Sequence, residues 1–240
     1  MKRLSFWIPL FTVLSLFFLN LLIFFRTPLA VYPLLNLQDA LDLLTPVVLI
    51  PLYGILFYAA GREAPELGAT LVFLGLVSLW AAGQGIHLAA NAIDNLMEAQ
   101  AEAGLIQLEG NELYRLVYFL DEGLGHVVWH LGLLGLAGLL VWREWRDPAG
   151  QRTAWWPTGL FGVVYGFILF AITVEGQTVW LGFPFAALLV VIGLAAGASR
   201  LRGQPLLAFF LVACGFACLL YAAWGIYWGG FPEFGAVGLL

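Results

Sequence analysis

Long apolar runs separated by short polar connections dominate the chain. They fall at about 5–25, 44–60, 68–93, 114–142, 155–174, 178–198 and 205–228. Each is close to or above the roughly 20 residues an α-helix needs to cross a hydrocarbon core. The connections are too short to bury a core of their own, and no internal repeat or linker interrupts the series. The pattern therefore predicts an all-α, polytopic integral membrane protein, with seven transmembrane helices in one domain over residues 1–240. Lys2 and Arg3 ahead of the first apolar run resemble the start of a secretory signal. That run exceeds the roughly 7–15 residues of a signal core and lacks a clean small-x-small cleavage site, so it reads as a retained first helix.

Composition agrees with the pattern: 62% of the 240 residues are hydrophobic and 10% are charged, far from the balance of a soluble domain. Phosphate-cradling glycine loops, a GxSxG elbow and basic, aromatic-interleaved patches are absent. Soluble nucleotide enzymes and nucleic-acid partners are thereby disfavoured. Basic residues favour the cytoplasmic side of a membrane. With the N-terminus inside, Lys2, Arg3, Arg62, Arg143, Arg146, Arg152, Arg200 and Arg202 collect there, leaving Arg26 and Arg115 outside. The expected topology is N-terminus cytoplasmic and C-terminus outside, in a plasma or inner membrane. Eleven of the fifteen carboxylates, among them Asp39, Asp42, Asp94, Glu98, Glu122 and Glu175, then fall toward the outer face. An acidic mouth concentrates cations, although Asp and Glu are also tolerated freely in outer loops.

The apolar pattern breaks at two places. In the fourth run, Glu122, His126 and His130 lie at about 0°, 40° and 80° around an ideal helix and cover about 12 Å of its axis. Asp121, one residue before that stripe, is expected to point elsewhere. In the third run, "QGIHLAANAIDNLME" places Gln84, His87, Asn91, Asp94 and Glu98 within about 80° of one another. The two helices are joined on the outer side, so they run antiparallel as neighbours. Their depths match, and His87 is expected to meet His126 or His130. All three histidines of the chain belong to this constellation.

Ionisable groups at membrane depth are costly and normally face a bundle interior, where they pair or carry out chemistry. Three imidazoles with a carboxylate suit a catalytic Zn²⁺ or a non-haem iron. On that reading His87, His126 and His130 are metal ligands, and Glu122 or Asp94 is a further ligand or the catalytic base. Asn91 and Gln84 would orient water or a ligand. The expected function is a metal-dependent membrane enzyme, hydrolase-like, acting on a lipid or other amphiphilic substrate. The HxxxH spacing lacks the Glu of HExxH, which excludes the zincin motif. Alternatives are a proton or cation transporter, a haem-binding protein using His87 and a histidine of the fourth helix, and a structural subunit of a membrane complex. In the last case the same polar groups simply tie helices together.

Seven helices, an inside N-terminus and three histidines with a carboxylate near one face are similar to the alkaline ceramidase and adiponectin-receptor-like superfamily of intramembrane zinc hydrolases. In that superfamily the HxxxH pair lies on the last helix. Here it is His126 and His130 on the fourth, and the seventh has no histidine. The resemblance implies intramembrane hydrolysis and assigns no residue. Trp80, Tyr118, Trp129 and Tyr165 are expected as pocket walls. Glu175 reads as a helix end, and Cys214 and Cys218 as small core residues. Gly132, Gly135 and Gly138 permit close helix approach.

Overall fold

The computed structural model describes residues 4–25, 27–29 and 36–239. Among these the chain is helical, with one isolated bridge between Pro28 and Asn36. The α-helices are α1 (Leu4–Leu16), α2 (Leu37–Ala60), α3 (Leu67–Glu102), α4 (Glu112–Tyr118), α5 (His126–Arg146), α6 (Trp155–Glu175), α7 (Val179–Leu201) and α8 (Pro205–Trp228). A π-turn (Phe17–Leu21) and a 3₁₀-turn (Leu22–Phe24) prolong α1, and a π-helix (Phe119–Gly125) joins α4 to α5. Together they make seven helical units long and apolar enough to cross a membrane. The expected all-helical architecture, with seven helical units able to span a membrane, is therefore present among the described residues. The fourth unit, Glu112–Arg146, is the most enclosed of the seven.

Local chemistry sets the helix ends. Asn36 opens α2 with a capping box: its Oδ1 accepts from Asp39 N at 3.0 Å, while Asp39 Oδ2 accepts from Asn36 N at 2.8 Å. The third helix runs to Glu102, beyond the apolar stretch ending near residue 93. Its polar stripe carries the helix past the expected boundary, and Gly104, at φ 72°, then turns the chain back. Gly229, at φ 67°, ends α8 in the same left-handed conformation.

The two ends of the bundle differ in charge. Arg62, Arg143, Arg146, Arg152, Arg200 and Arg202 lie at the end where α2, α5 and α7 finish; Lys2, Arg3 and Arg26 fall outside the described residues. That basic end is laced by hydrogen bonds. Buried Arg143 donates from Nε to Phe57 O at 2.7 Å and from a terminal nitrogen to Glu63 O at 2.6 Å. Buried Glu144 accepts from Leu206 N at 3.2 Å and Leu207 N at 2.8 Å, closing the N-terminus of α8. Arg200 lies 3.7 Å over the Trp145 ring, and Thr153 donates to Leu201 O at 2.5 Å.

At the level of the polar stripes α3 and α5 touch through glycine. A Cβ on Gly83 would fall 2.2 Å from Trp129 N, and one on Gly132 would fall 2.6 Å from Trp80 N. Any larger side chain there would force the backbones apart, so glycine is what brings α3 and α5 together.

Candidate functional site

The close contact of α3 with α5 sets His87 against the start of α5. The ring centres of His87 and His126 are 4.4 Å apart, and those of His126 and His130 are 5.8 Å apart. The juxtaposition expected from matching depths is thus present for His87 and His126. The Trp129 indole lies among them, its ring centre 5.9 Å from His87, 5.9 Å from His126 and 4.9 Å from His130.

One expectation is corrected here. Asp121 does not point away: it is 3% exposed, and its Oδ1 lies 2.5 Å from His87 Nδ1. The cause is the π-helix over Phe119–Gly125. A π-turn bonds i to i+5 and takes more residues per turn than an α-helix, so neighbouring residues diverge by less than 100°. Adjacent Asp121 and Glu122 both reach histidines as a result. Glu122 Oε2 approaches His126 Nδ1 to 3.3 Å, near enough for an ion pair but without the alignment of a hydrogen bond. The sequence signal was the run "DEGLG", two carboxylates and two glycines inside an apolar span.

The third imidazole is oriented from another helix. His130, fully buried, has Nδ1 2.5 Å from Thr178 Oγ1 at the start of α7. Each Nδ1 therefore faces a side-chain oxygen, from Asp121, Glu122 or Thr178, which leaves Nε2 of each ring as the nitrogen for a ligand. The turn carrying Thr178 roofs the cluster: a Cβ on Gly176 would lie 2.8 Å from His130 Cε1 and 3.0 Å from His126 Cγ. Gln177 holds φ 50°, and its side chain bonds Glu233 of the C-terminal segment. Glu175, the last residue of α6, accepts from Phe234 N at 3.1 Å. The C-terminal segment thereby straps down the turn that holds His130.

The other expected residues fall in distinct places. Gln84 is buried and engaged at both ends: Oε1 accepts from Trp80 Nε1 at 2.7 Å, and Nε2 donates to Asp42 Oδ1 at 2.7 Å. It links α3 to α2 and brings Asp42, a residue outside the expected set, toward the site. Asn91 accepts from Asn95 at 3.3 Å, and Asp94 Oδ1 is buried without a partner. Of the four aromatic residues expected as pocket walls, Trp129 lies within the cluster and Trp80 is buried beside Tyr53. Tyr165 belongs to the core with Phe11 and Phe209, and Tyr118 is half exposed near Tyr114.

No known protein family, curated protein or solved structure matches the chain. Function must therefore be argued from the site. Among the described residues no three His, Cys, Asp or Glu side chains stand in an arrangement that would hold a metal ion as they are. A tetrahedral zinc bonded at about 2.1 Å sets its imidazole ring centres about 5 Å apart. The observed 4.4 Å for His87 with His126 and 5.8 Å for His126 with His130 lie on either side of that spacing. The chemistry of the donors is of the kind a metal takes: buried His130 Nε2 has no partner, and histidine ligands normally pass their other nitrogen to an oxygen.

Proposed function

We propose that the chain is a metal-dependent enzyme of the plasma or inner membrane, with the N-terminus cytoplasmic and the site in the outer half of the bilayer. His87, His126 and His130 hold a transition metal through Nε2, zinc being the simplest choice and iron the alternative. The reaction is hydrolytic and acts on a lipid or other amphiphile. The observation that carries this reading is the common pattern of the three imidazoles, each with Nδ1 at a side-chain oxygen and Nε2 left for a ligand. A metal at this position would supply Lewis acidity.

The chain's own residues have separable tasks. Asp121, Glu122 and Thr178 set the ring orientations. Glu122 and Asp94 each keep a buried carboxylate oxygen without a hydrogen-bond partner and are suited to take a proton from water during hydrolysis. The π-helix supports the reading, because such turns inside helices recur at functional sites. The apolar stretch of α5 between the site and the basic end, "LGLLGLAGLLVW", disfavours a proton or cation path along this helix.

Elemental analysis and an absorbance spectrum of detergent-purified wild type, His126→Ala and His130→Ala test the proposal. The expected result is near-stoichiometric zinc or iron in the wild type and loss in both variants at unchanged helicity. Wild-type protein purified without chelators that is metal-free and colourless overturns it, and a haem Soret band would favour the haem alternative instead.

A further inference from the structure

We infer that Trp129 donates its indole N–H to an oxygen of the molecule this site binds, so that the site selects ligands presenting a carbonyl-type or anionic oxygen beside the three imidazoles. The inference rests on the metal-site reading above and adds to it the part of the ligand that is recognised. Trp129 is 7% exposed, and its Nε1 is buried with no hydrogen-bond partner. An indole N–H can only donate, and a buried donor without an acceptor lowers stability. Two other indoles are satisfied within the chain: Trp80 Nε1 donates to Gln84 Oε1 at 2.7 Å, and Trp224 Nε1 donates to Pro232 O at 3.1 Å.

Position distinguishes Trp129 from a packing residue with a neglected proton. Its ring centre lies within 5.9 Å of all three imidazoles. Gly83 of α3 meets its backbone so closely that a Cβ there would sit 2.2 Å from Trp129 N. The indole is therefore held on a rigid helix contact inside the cluster, which suits a preorganised donor. An unpartnered imidazole nitrogen accompanies it. Trp129 Nε1 and His130 Nε2 are both buried in the cluster without a partner, beside the close but unaligned approach of Glu122 Oε2 to His126 Nδ1. Such open groups are expected where a polar ligand completes the hydrogen bonding.

Trp129→Phe keeps the aromatic plane and removes the N–H. Zinc-loaded wild type and variant are titrated in detergent with two probes of equal chain length, decanohydroxamate, which presents carbonyl-type oxygen, and decanethiol, which presents none. The expected result is about tenfold weaker hydroxamate binding in the variant, corresponding to one hydrogen bond. Thiol binding should change less than about twofold, and zinc content should be equal in the two proteins. Equal losses for both probes, or no loss for hydroxamate, overturns the Trp129 inference while leaving the metal site standing. Wild type that takes up no zinc and binds neither probe overturns both proposals.

Discussion

The basic end and the histidine cluster both bury charged or polar side chains, and they treat them in opposite ways. At the basic end Arg143 and Glu144 spend their hydrogen-bonding capacity on backbone: Phe57 O, Glu63 O, Leu206 N and Leu207 N. In the cluster Trp129 Nε1 and His130 Nε2 are buried without a partner, and Glu122 Oε2 meets His126 Nδ1 without the alignment of a hydrogen bond. Arg143 and Glu144 are satisfied by the chain itself, although Gln204 Oε1 beside them is left open, and each bond made stabilises the fold. Groups left open lower stability until something binds them. On the proposed reading, the difference separates a region that holds the bundle from one that receives a ligand, within the same set of helices.

The sharpest way to break this comparison is at Glu144. Replacing it with Leu removes both acceptors at the start of α8 and leaves two buried backbone donors. The expected cost is about 2–6 kcal/mol, from two buried donors left unpaired. Thermal unfolding in detergent should register it as the largest loss of stability among the variants considered. Arg143→Met is expected to cost about 3 kcal/mol for the same reason, and whatever folds at low temperature should keep an intact cluster. If either variant unfolds like wild type, the basic end is not the fastening it is taken to be.

A smaller effect is expected where the two regions are joined, at the glycine contact of α3 with α5. Gly83→Ala places a methyl group where Trp129 N lies 2.2 Å away, and overpacking of this kind costs about 1–3 kcal/mol. Unlike the basic-end variants, it should also disturb the site, because His87 and Trp129 sit on the separated helices. Metal content should fall together with unfolding temperature. A variant that loses stability but keeps its metal would mean that the helix contact does not position the imidazoles.

Most of the bundle was legible in the spacing of apolar residues, because hydropathy marks spans by length and composition alone. The meeting of His87 with His126 followed from depth on antiparallel helices. Asp121 did not follow, because an ideal 100° step cannot represent a π-turn, and no local propensity announces one except the unusual "DEGLG". Thr178 was invisible for another reason. It lies 48 positions from His130, and a hydroxyl at the start of a helix reads as an ordinary end residue. Asp42 was hidden similarly, since its link to the site runs through Gln84. Tertiary pairing over such separations leaves no trace in the pattern of one chain.

At the site itself the expected stability effects are smaller and lie near zero. His126→Leu removes a buried Nδ1 that lies 3.3 Å from Glu122 Oε2 without the alignment of a hydrogen bond. Its unfolding temperature without metal should lie within a few degrees of wild type, given that surrendering an unsatisfied polar group can be neutral or stabilising. The same variant should lose the stabilisation that wild type gains from added zinc, which follows binding to the folded state. A large loss in the absence of metal would make the cluster a helix-tying network after all.

The smallest structural change with a readable outcome is at Thr178. Thr178→Val keeps the shape of the side chain and removes the oxygen 2.5 Å from His130 Nδ1. Thr178→Ser keeps the oxygen. Loss of an oxygen that orients a metal-bound histidine typically lowers metal affinity about 10–100-fold, while the unpaired Nδ1 left behind costs about 1–3 kcal/mol. Valine is therefore expected to weaken zinc binding at constant helicity, and serine to restore most of it. Equal behaviour of the two variants would assign Thr178 to packing under the Gly176 turn. A difference confined to metal affinity would place the roof of the cluster, and the C-terminal segment that straps it through Glu175 and Gln177, in the machinery that holds His130.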